Sequence, residues 1–288
     1  MRRQIDWLKR ACKSAIRQAG ILLARILPLS ARQSLVAMLK SLRLPGDFEF
    51  SMGLFEDLRR RDPVSLHRFL WSNHLAYAQT YEIEERFGPA NINPTRHILF
   101  RELADRLRAR GMNPMQDIGS VFEVGCSMGY LLRHLEEEVF PSAGILHGID
   151  IDAYAVETGA AHLARLQSKV KLFTADMEAA GRIMGERIYD LAICCGVLMY
   201  VNEAAAADVV RTILSHARCL VGLICLAHPG RGGSASERSE MRATDGAFIH
   251  NVDRMIRSAG GKIVSSKWIG TDISGSSPSH VIVAEPPV

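Results

Sequence analysis

An apolar run that ends in a string of small residues and then turns amphipathic constrains this chain more than any other stretch. Residues 121–130 read VFEVGCSMGY. Val121, Phe122 and Val124 surround a single acid, Glu123, and a tight turn follows at Gly125, Cys126, Ser127 and Gly129. The next residues, Leu-Leu-Arg-His-Leu-Glu, are amphipathic. Strand, turn and helix in that order predict the first unit of an open α/β sheet, with a ligand at the strand's carboxyl end. Glycines let the backbone approach that ligand, and the free N–H groups of the helix face it.

From Ser120 onward the pattern alternates. Apolar strands are expected at 121–124, 145–149, 170–174, 189–195, 219–227, 262–269 and 280–284, with helices at 129–138, 153–166, 203–217 and 248–259. Runs such as Leu-Ala-Ile-Cys-Cys and Cys-Leu-Val-Gly-Leu-Ile-Cys-Leu-Ala suit the centre of a parallel sheet covered on both faces. The Gly/Ser/Arg-rich segment 229–246 interrupts the alternation and reads as a loop.

The region before the sheet is helical. Ile5, Leu8, Cys12, Ala15, Ile16, Ala19, Leu22, Leu23 and Ile26 recur at helical spacing, and Pro28 closes that helix. Ser30-Ala-Arg-Gln33 is a capping box for a second helix carrying Leu35, Val36, Leu39 and Leu42. Asp62-Pro63 opens a helix expected to reach about Phe87, and one face of it combines His67, Trp71, His74, Tyr77 and Tyr81. His74, Tyr77 and Tyr81 on that face are candidates for the roof of a pocket. A core stripe with satisfied polar tips is the bland alternative. Asn93-Pro94 opens a further helix ending at Gly111. The domain organisation expected is 1–46 as a basic helical extension, 47–115 as a helical cap, and 116–288 as the α/β domain.

Charge is unevenly placed. Residues 1–45 hold ten Lys/Arg against one acid, Asp6, so a chain of net charge +4 is acidic beyond that end. An acidic main domain argues against a nucleic-acid groove. A basic amphipathic helix pair fits a membrane surface contacted through residues 1–45, but soluble helices packed on a domain or a partner share the pattern, and that reading is preferred. A homodimer is left open. The charges are not followed by the apolar core of a signal peptide, although a transit peptide is compositionally allowed. The apolar runs fall short of the roughly 20 residues of a membrane span. The six cysteines show no CxxC spacing, so a cytoplasmic protein with reduced thiols and no zinc site is expected.

Three acids end successive strands: Glu123 in the first, Asp150 after LHGI, and Asp176 after KLFTA. A carboxylate ending the second strand can accept both hydroxyls of a ribose. One after the third can accept from an adenine amine, with Met177 packing on the ring. Together with Glu123-Val-Gly125-Cys-Ser127-Met-Gly129, residues from about 75 to 284 resemble class I S-adenosylmethionine-dependent methyltransferases, with Ser127 at the middle glycine of the motif. The resemblance implies a doubly wound, mostly parallel seven-stranded sheet whose last strand is antiparallel, with an α-helical N-terminal extension. It implies S-adenosyl-L-methionine as cofactor. The methionine part would lie on Glu123, Gly125, Cys126, Ser127 and Gly129, the ribose on Asp150 and Ile151, and the adenine on Asp176 and Met177. Cys195 and Gly196 would flank the sulfonium.

A nicotinamide dehydrogenase, the rival on this scaffold, needs glycines at 127 and 130, where the chain has Ser127 and Tyr130. The segment after the fourth strand, Cys-Gly-Val-Leu-Met-Tyr, lacks the Asn/Asp-Pro-Pro-Tyr signature of nucleic-acid amino-methyltransferases. It also lacks an acid pair that would ligate magnesium. The chemistry expected is metal-free transfer to a hydroxyl or amine of a small molecule or glycan. His228, His250 and Tyr200 are the candidate catalytic groups. The alternatives are a catalytically silent cofactor-binding module docked through the basic end, and a protein or RNA methyltransferase.

Overall fold

The computed structural model describes residues 2–41, 46–76, 83–88, 91–228, 237–271 and 277–287. It divides into two compact units, Met1–Thr80 and Tyr81–Val288.

The first unit contains α1 (Arg2–Ala24), α2 (Leu29–Ser41), α3 (Asp47–Leu54), α4 (Glu56–Arg61) and α5 (Pro63–Ser72). Helices α1 and α3 meet where neither has a side chain. A Cβ on Gly53 would stand 2.2 Å from the Arg17 carbonyl oxygen, and one on Gly20 2.4 Å from that of Phe50. This contact decides which face of α1 is inward. Gly20 and Ala24 are buried, whereas Cys12, Ala15, Ala19, Leu22 and Ile26 are exposed. The apolar stripe seen in the sequence is therefore split, because the eight-residue α3 covers only part of it. Nearby, the buried Glu56 accepts hydrogen bonds from Arg17, Arg59 and Arg60 at 2.7–2.9 Å. The Arg59 bond leads these in holding its carboxyl well below the usual range.

The helix expected to run to about Phe87 stops at Ser72. His74 adopts φ 53°, its N–H donates to the Trp71 carbonyl, and the Leu75 N–H donates to that of Leu70. That pair of bonds is a Schellman cap, here with histidine where glycine is usual. The face proposed to carry His74, Tyr77 and Tyr81 together is thus not one continuous helix. Tyr77 and Tyr81 lie outside the described residues.

The second unit opens with α6 (Ile83–Arg86), α7 (Pro94–Ala109) and α8 (Pro114–Asp117). Then come β1 (Ser120–Val124), α9 (Tyr130–His134) with a π-helical continuation Leu135–Val139, β2 (Ile145–Asp150), α10 (Ala153–Arg165) and β3 (Val170–Thr174). Next are α11 (Ala180–Met184), β4 (Tyr189–Cys195), α12 (Glu203–Ser215), β5 (Ala217–Leu226) and the short β6 (Glu240–Met241) and β7 (Phe248–Ile249). Helix α13 (Val252–Ser258), β8 (Lys262–Ile269) and β9 (Ser279–Glu285) complete the unit. The main sheet has seven strands in the order β3-β2-β1-β4-β5-β9-β8. It is parallel through β5, and β9 runs antiparallel to both its neighbours. All seven expected strands form. The expected helix at 248–259 does not begin where the sequence suggested, because Phe248–Ile249 pairs with Glu240–Met241 first.

Side chains alternate across the sheet. Val121, Leu191 and Val283 pack with Leu99, Leu103 and Leu107 of α7. Phe122, Ala192 and Ile282 pack on the other face with Val210 and Ile213 of α12. By the same alternation Glu123 points to the α7 face. Helix α10 rests on the turn after β1, where a Cβ on Gly159 would lie 2.2 Å from the Met128 carbonyl oxygen. Gly159→Ala is expected to push α10 off that turn at a cost of about 1–3 kcal/mol. Thermal unfolding should show a loss of roughly 2–4 °C per kcal/mol.

Candidate active site

The strand ends that form the site are level. Val124 pairs with Ile149 on one side and Cys194 on the other. The chain leaves β1 toward β2 and β3, then returns to add β4 on the opposite flank, so the crevice beside β1 is the topological switch point.

The turn is built around one carbonyl. The N–H groups of Gly125 and Cys126 both donate to Ile149 O, at 2.8 and 2.9 Å. Gly125 (φ 78°), Ser127 (φ 50°) and Gly129 (φ 82°) are all left-handed, which lifts the backbone over the strand end. A Cβ on Gly125 would be 2.3 Å from Val197, so glycine is required for space as well as conformation. Asp150 braces the turn from β2. One carboxylate oxygen accepts the Ser127 N–H at 2.7 Å and the other accepts that of Asp152 at 2.9 Å. Burial nonetheless pushes its pKa up to about 6. Ile151 follows it, partly exposed.

Glu123 is the electrostatic centre of the crevice. It is 1% exposed, and neither carboxylate oxygen has a hydrogen-bond partner. Burial pushes its pKa up to about 8, against the pull of the Arg96 guanidinium. The neighbouring Ser127 hydroxyl is likewise buried without a partner. Such groups are costly to bury, so two together mark a place where a polar ligand completes the structure.

Arg96 was not singled out by the sequence. It sits in the first turn of α7, where the Asn93 side chain accepts the Arg96 N–H. Its guanidinium lies 5.2 Å from the centroid of the Tyr130 ring, and that of Arg86 lies 4.2 Å from it. Arg86 also donates to the Tyr130 hydroxyl at 3.1 Å. No spacing rule connects these arginines to a turn so far along the chain; the packing of α7 on the sheet brings them there.

The remaining cofactor candidates lie around the same crevice. Asp176 is half-buried and caps the turn Met177–Ala179 by accepting the Glu178 N–H at 3.1 Å, while Met177 packs against the core. Cys195 ends β4, buried, and its thiol is pushed well up by burial and by Glu123. Gly196 has φ 77°, with nothing within 4 Å of where a Cβ would stand. Buried thiols of raised pKa at Cys126, Cys194 and Cys195 are poor nucleophiles. Five of the six cysteines are buried, and Cys12, on α1, is exposed.

The catalytic candidates fall on the β4–β5 side. His228 follows β5, with Nε2 3.6 Å from the Glu240 carboxylate. His250 is buried, Nε2 lies 2.9 Å from Leu198 O and Nδ1 2.7 Å from the Ser239 hydroxyl. A carbonyl can only accept, so His250 carries its proton on Nε2 and Nδ1 accepts from Ser239. Burial holds its pKa below the usual value, in keeping with that neutral form. Tyr200 is half-buried at the end of the turn Leu198–Tyr200. His74 lies in the first unit. Sequence reasoning missed Glu240 and Ser239 because both sit in a segment that reads as loop.

Residues 121–219 match a family model described as a methyltransferase domain. The fold is similar to that of magnesium protoporphyrin IX methyltransferase from Synechocystis, with S-adenosylhomocysteine bound (TM-score 0.53, 15% identity, covering 78% of this chain and 100% of that one). It is also similar to the O-methyltransferase of a trans-AT polyketide synthase multienzyme from Brevibacillus brevis (TM-score 0.53, 14% identity, covering 75% of this chain and 79% of that one). No curated protein matches the chain. The family match spans β1 to the start of β5, the part of the sheet that frames the glycine turn. Among the described residues, no group of three or more His, Cys, Asp and Glu side chains is arranged to hold a metal ion.

Glu123 also sets a pH dependence of stability. Its folded pKa exceeds the unfolded value near 4.5, so between 4.5 and about 8 the folded chain holds a proton that the unfolded chain has released. Stability from this group therefore falls as pH rises across that window and levels off above it. Glu123→Gln should match the wild type below pH 4.5 and gain in Tm over it as pH rises to 8, read by thermal melts across a pH series.

Proposed function

We propose that the chain is a metal-independent methyltransferase acting on a hydroxyl or amine of a small molecule or sugar. One observation carries the cofactor assignment: the buried, unpartnered carboxylate of Glu123 at the switch point, beside a turn that excludes any side chain at Gly125. An ammonium is the ligand that satisfies it, since it brings both donors and charge. The amino-acid end of the cofactor would thus lie on Glu123 and the Gly125–Gly129 turn, with the Ser127 hydroxyl as a second polar contact. Asp150 and Ile151 would take the ribose, and Asp176 and Met177 the adenine. Cys195 and Gly196 would border the sulfonium, where the open space beside Gly196 leaves room for the methyl.

When bound, S-adenosylmethionine supplies an electrophilic methyl group on its sulfonium. The protein's part is then to align the acceptor, exclude water and take the acceptor's proton. His228 is the base in this reading. It stands at the carboxyl end of β5, with the Glu240 carboxylate near its Nε2 to stabilise the imidazolium it would become. His250 has both ring nitrogens engaged, so its role is to hold β7 against the turn that presents Tyr200. The donor set supports the reading of transfer without a metal: residues 196–200 offer no hard oxygen side chain other than the Tyr200 phenol.

Calorimetry with S-adenosylhomocysteine tests the site. Gly125→Glu should weaken binding about a hundredfold or more, roughly 2.7 kcal/mol, while circular dichroism stays unchanged. Equal affinity would refute the placement. With labelled S-adenosylmethionine and a panel of phenols, sugars and amines, His228→Ala should lower kcat by about 10²–10⁴-fold and leave S-adenosylhomocysteine affinity intact.

A further inference from the structure

The outer face of α1 has no part in the methyl-transfer reading, and its chemistry is distinctive. Leu22, near the end of α1, is 59% exposed, Ile26, in the turn after it, 75%, and Leu29, at the start of α2, 47%. Single exposed leucines are ordinary on protein surfaces, but these three crowd one helical corner. The inner face of α1 is already committed to α3 through Gly20 and Gly53. The outer stripe is therefore surplus to packing within its own unit.

The corner is also rigid. Arg32 reaches back from α2 and donates to the carbonyls of Ala24 and Leu27, and its guanidinium pairs with Asp57 at 2.8 Å. Arg25, on the corner itself, is exposed. Residues 1–45 carry ten Lys/Arg against one acid, while the rest of the chain is net acidic. With the acids of α3 and α4 that pair with Lys13, Arg17 and Arg32 included, residues 1–80 still hold fourteen Lys/Arg against six Asp/Glu. Two copies of this unit would therefore repel each other, whereas an anionic lipid surface would attract it.

We propose that the α1–α2 corner docks this protein on an anionic bilayer, with Leu22, Ile26 and Leu29 entering the lipid interface and Arg25 beside them at its anionic surface. The mode is that of an amphipathic helix lying on the membrane. Among the described residues no helix is long and apolar enough to cross one. The proposal goes beyond the catalytic reading and does not depend on it. A docked enzyme would meet acceptors that partition into lipid.

Vesicle flotation of the full chain tests the idea, with vesicles of equal phosphatidylcholine and phosphatidylglycerol compared against phosphatidylcholine alone. The chain should float with the mixed vesicles only, and added salt should release it. Replacing both apolar residues (Leu22→Asp with Ile26→Asp) should weaken binding by about tenfold or more, and Arg25→Gln by about fivefold. Both variants alter exposed side chains, so Tm and S-adenosylhomocysteine affinity should stay at wild-type values, which separates this test from that of the active site. Failure to float with mixed vesicles, equal flotation with neutral ones, or full binding by the Asp variant would overturn the proposal. So would a stable dimer in sedimentation velocity that Ile26→Asp dissociates without lipid, since that result would give the stripe to a second copy.

Discussion

The carbonyl of Ile149 accepts both the Gly125 and the Cys126 N–H, and through it the end of β1 is locked to the end of β2. Everything at the site inherits its position from that lock. With β1 and β2 level, the Asp150 carboxylate reaches the Ser127 N–H, and the turn is held from below by a strand and from in front by an acid. Helix α10 then closes on the turn where Gly159 leaves room for the Met128 carbonyl. The result is a preorganised concavity at the switch point whose own hydrogen bonds are satisfied, apart from the groups left for a ligand.

Glu123 is where stability and function pull against each other. A carboxyl buried without a partner costs folding free energy, and protonation up to about pH 8 is how the unliganded chain limits that cost. The arrangement makes sense for a group that completes its coordination only when a cation arrives. Arg96, its guanidinium over the Tyr130 ring, moderates the field without quenching it. The β4–β5 side is organised instead by the hydrogen bonds of a neutral histidine and by one ion pair. His250 ties Ser239 to Leu198, and Glu203 takes both the Ser239 N–H and the Arg254 guanidinium. That network fixes the short β6–β7 pair, which in turn sets Glu240 near His228.

The N-terminal unit follows a different logic. Its core is small, and much of its order comes from ion pairs at Glu56 and from backbone contact between α1 and α3. Glycine-mediated packing brings two helices close together but covers little side-chain surface. That is why α1 keeps an apolar stripe in solvent.

The sheet and the glycine turn were legible in the amino-acid order. Alternation between strand-like and helix-like periods marked all seven strands, since buried parallel strands are written as near-continuous apolar runs. Local chemistry marked the turn, because Gly125 and Gly129 are demanded by left-handed backbone that few other residues tolerate. Ends of helices were legible where glycine or proline announced them, as at Gly111, and illegible at Ser72, where His74 takes the left-handed position instead. The rest came from contacts between distant elements. Arg96 comes near Glu123 because α7 lies across that face of the sheet, His250 loses its freedom because Leu198 and Ser239 meet its ring, and α1 exposes Cys12, Ala15, Ala19 and Leu22 because α3 is short. Each depends on which faces pack together across long stretches of chain, and periodicity within a single element carries no information about its partner.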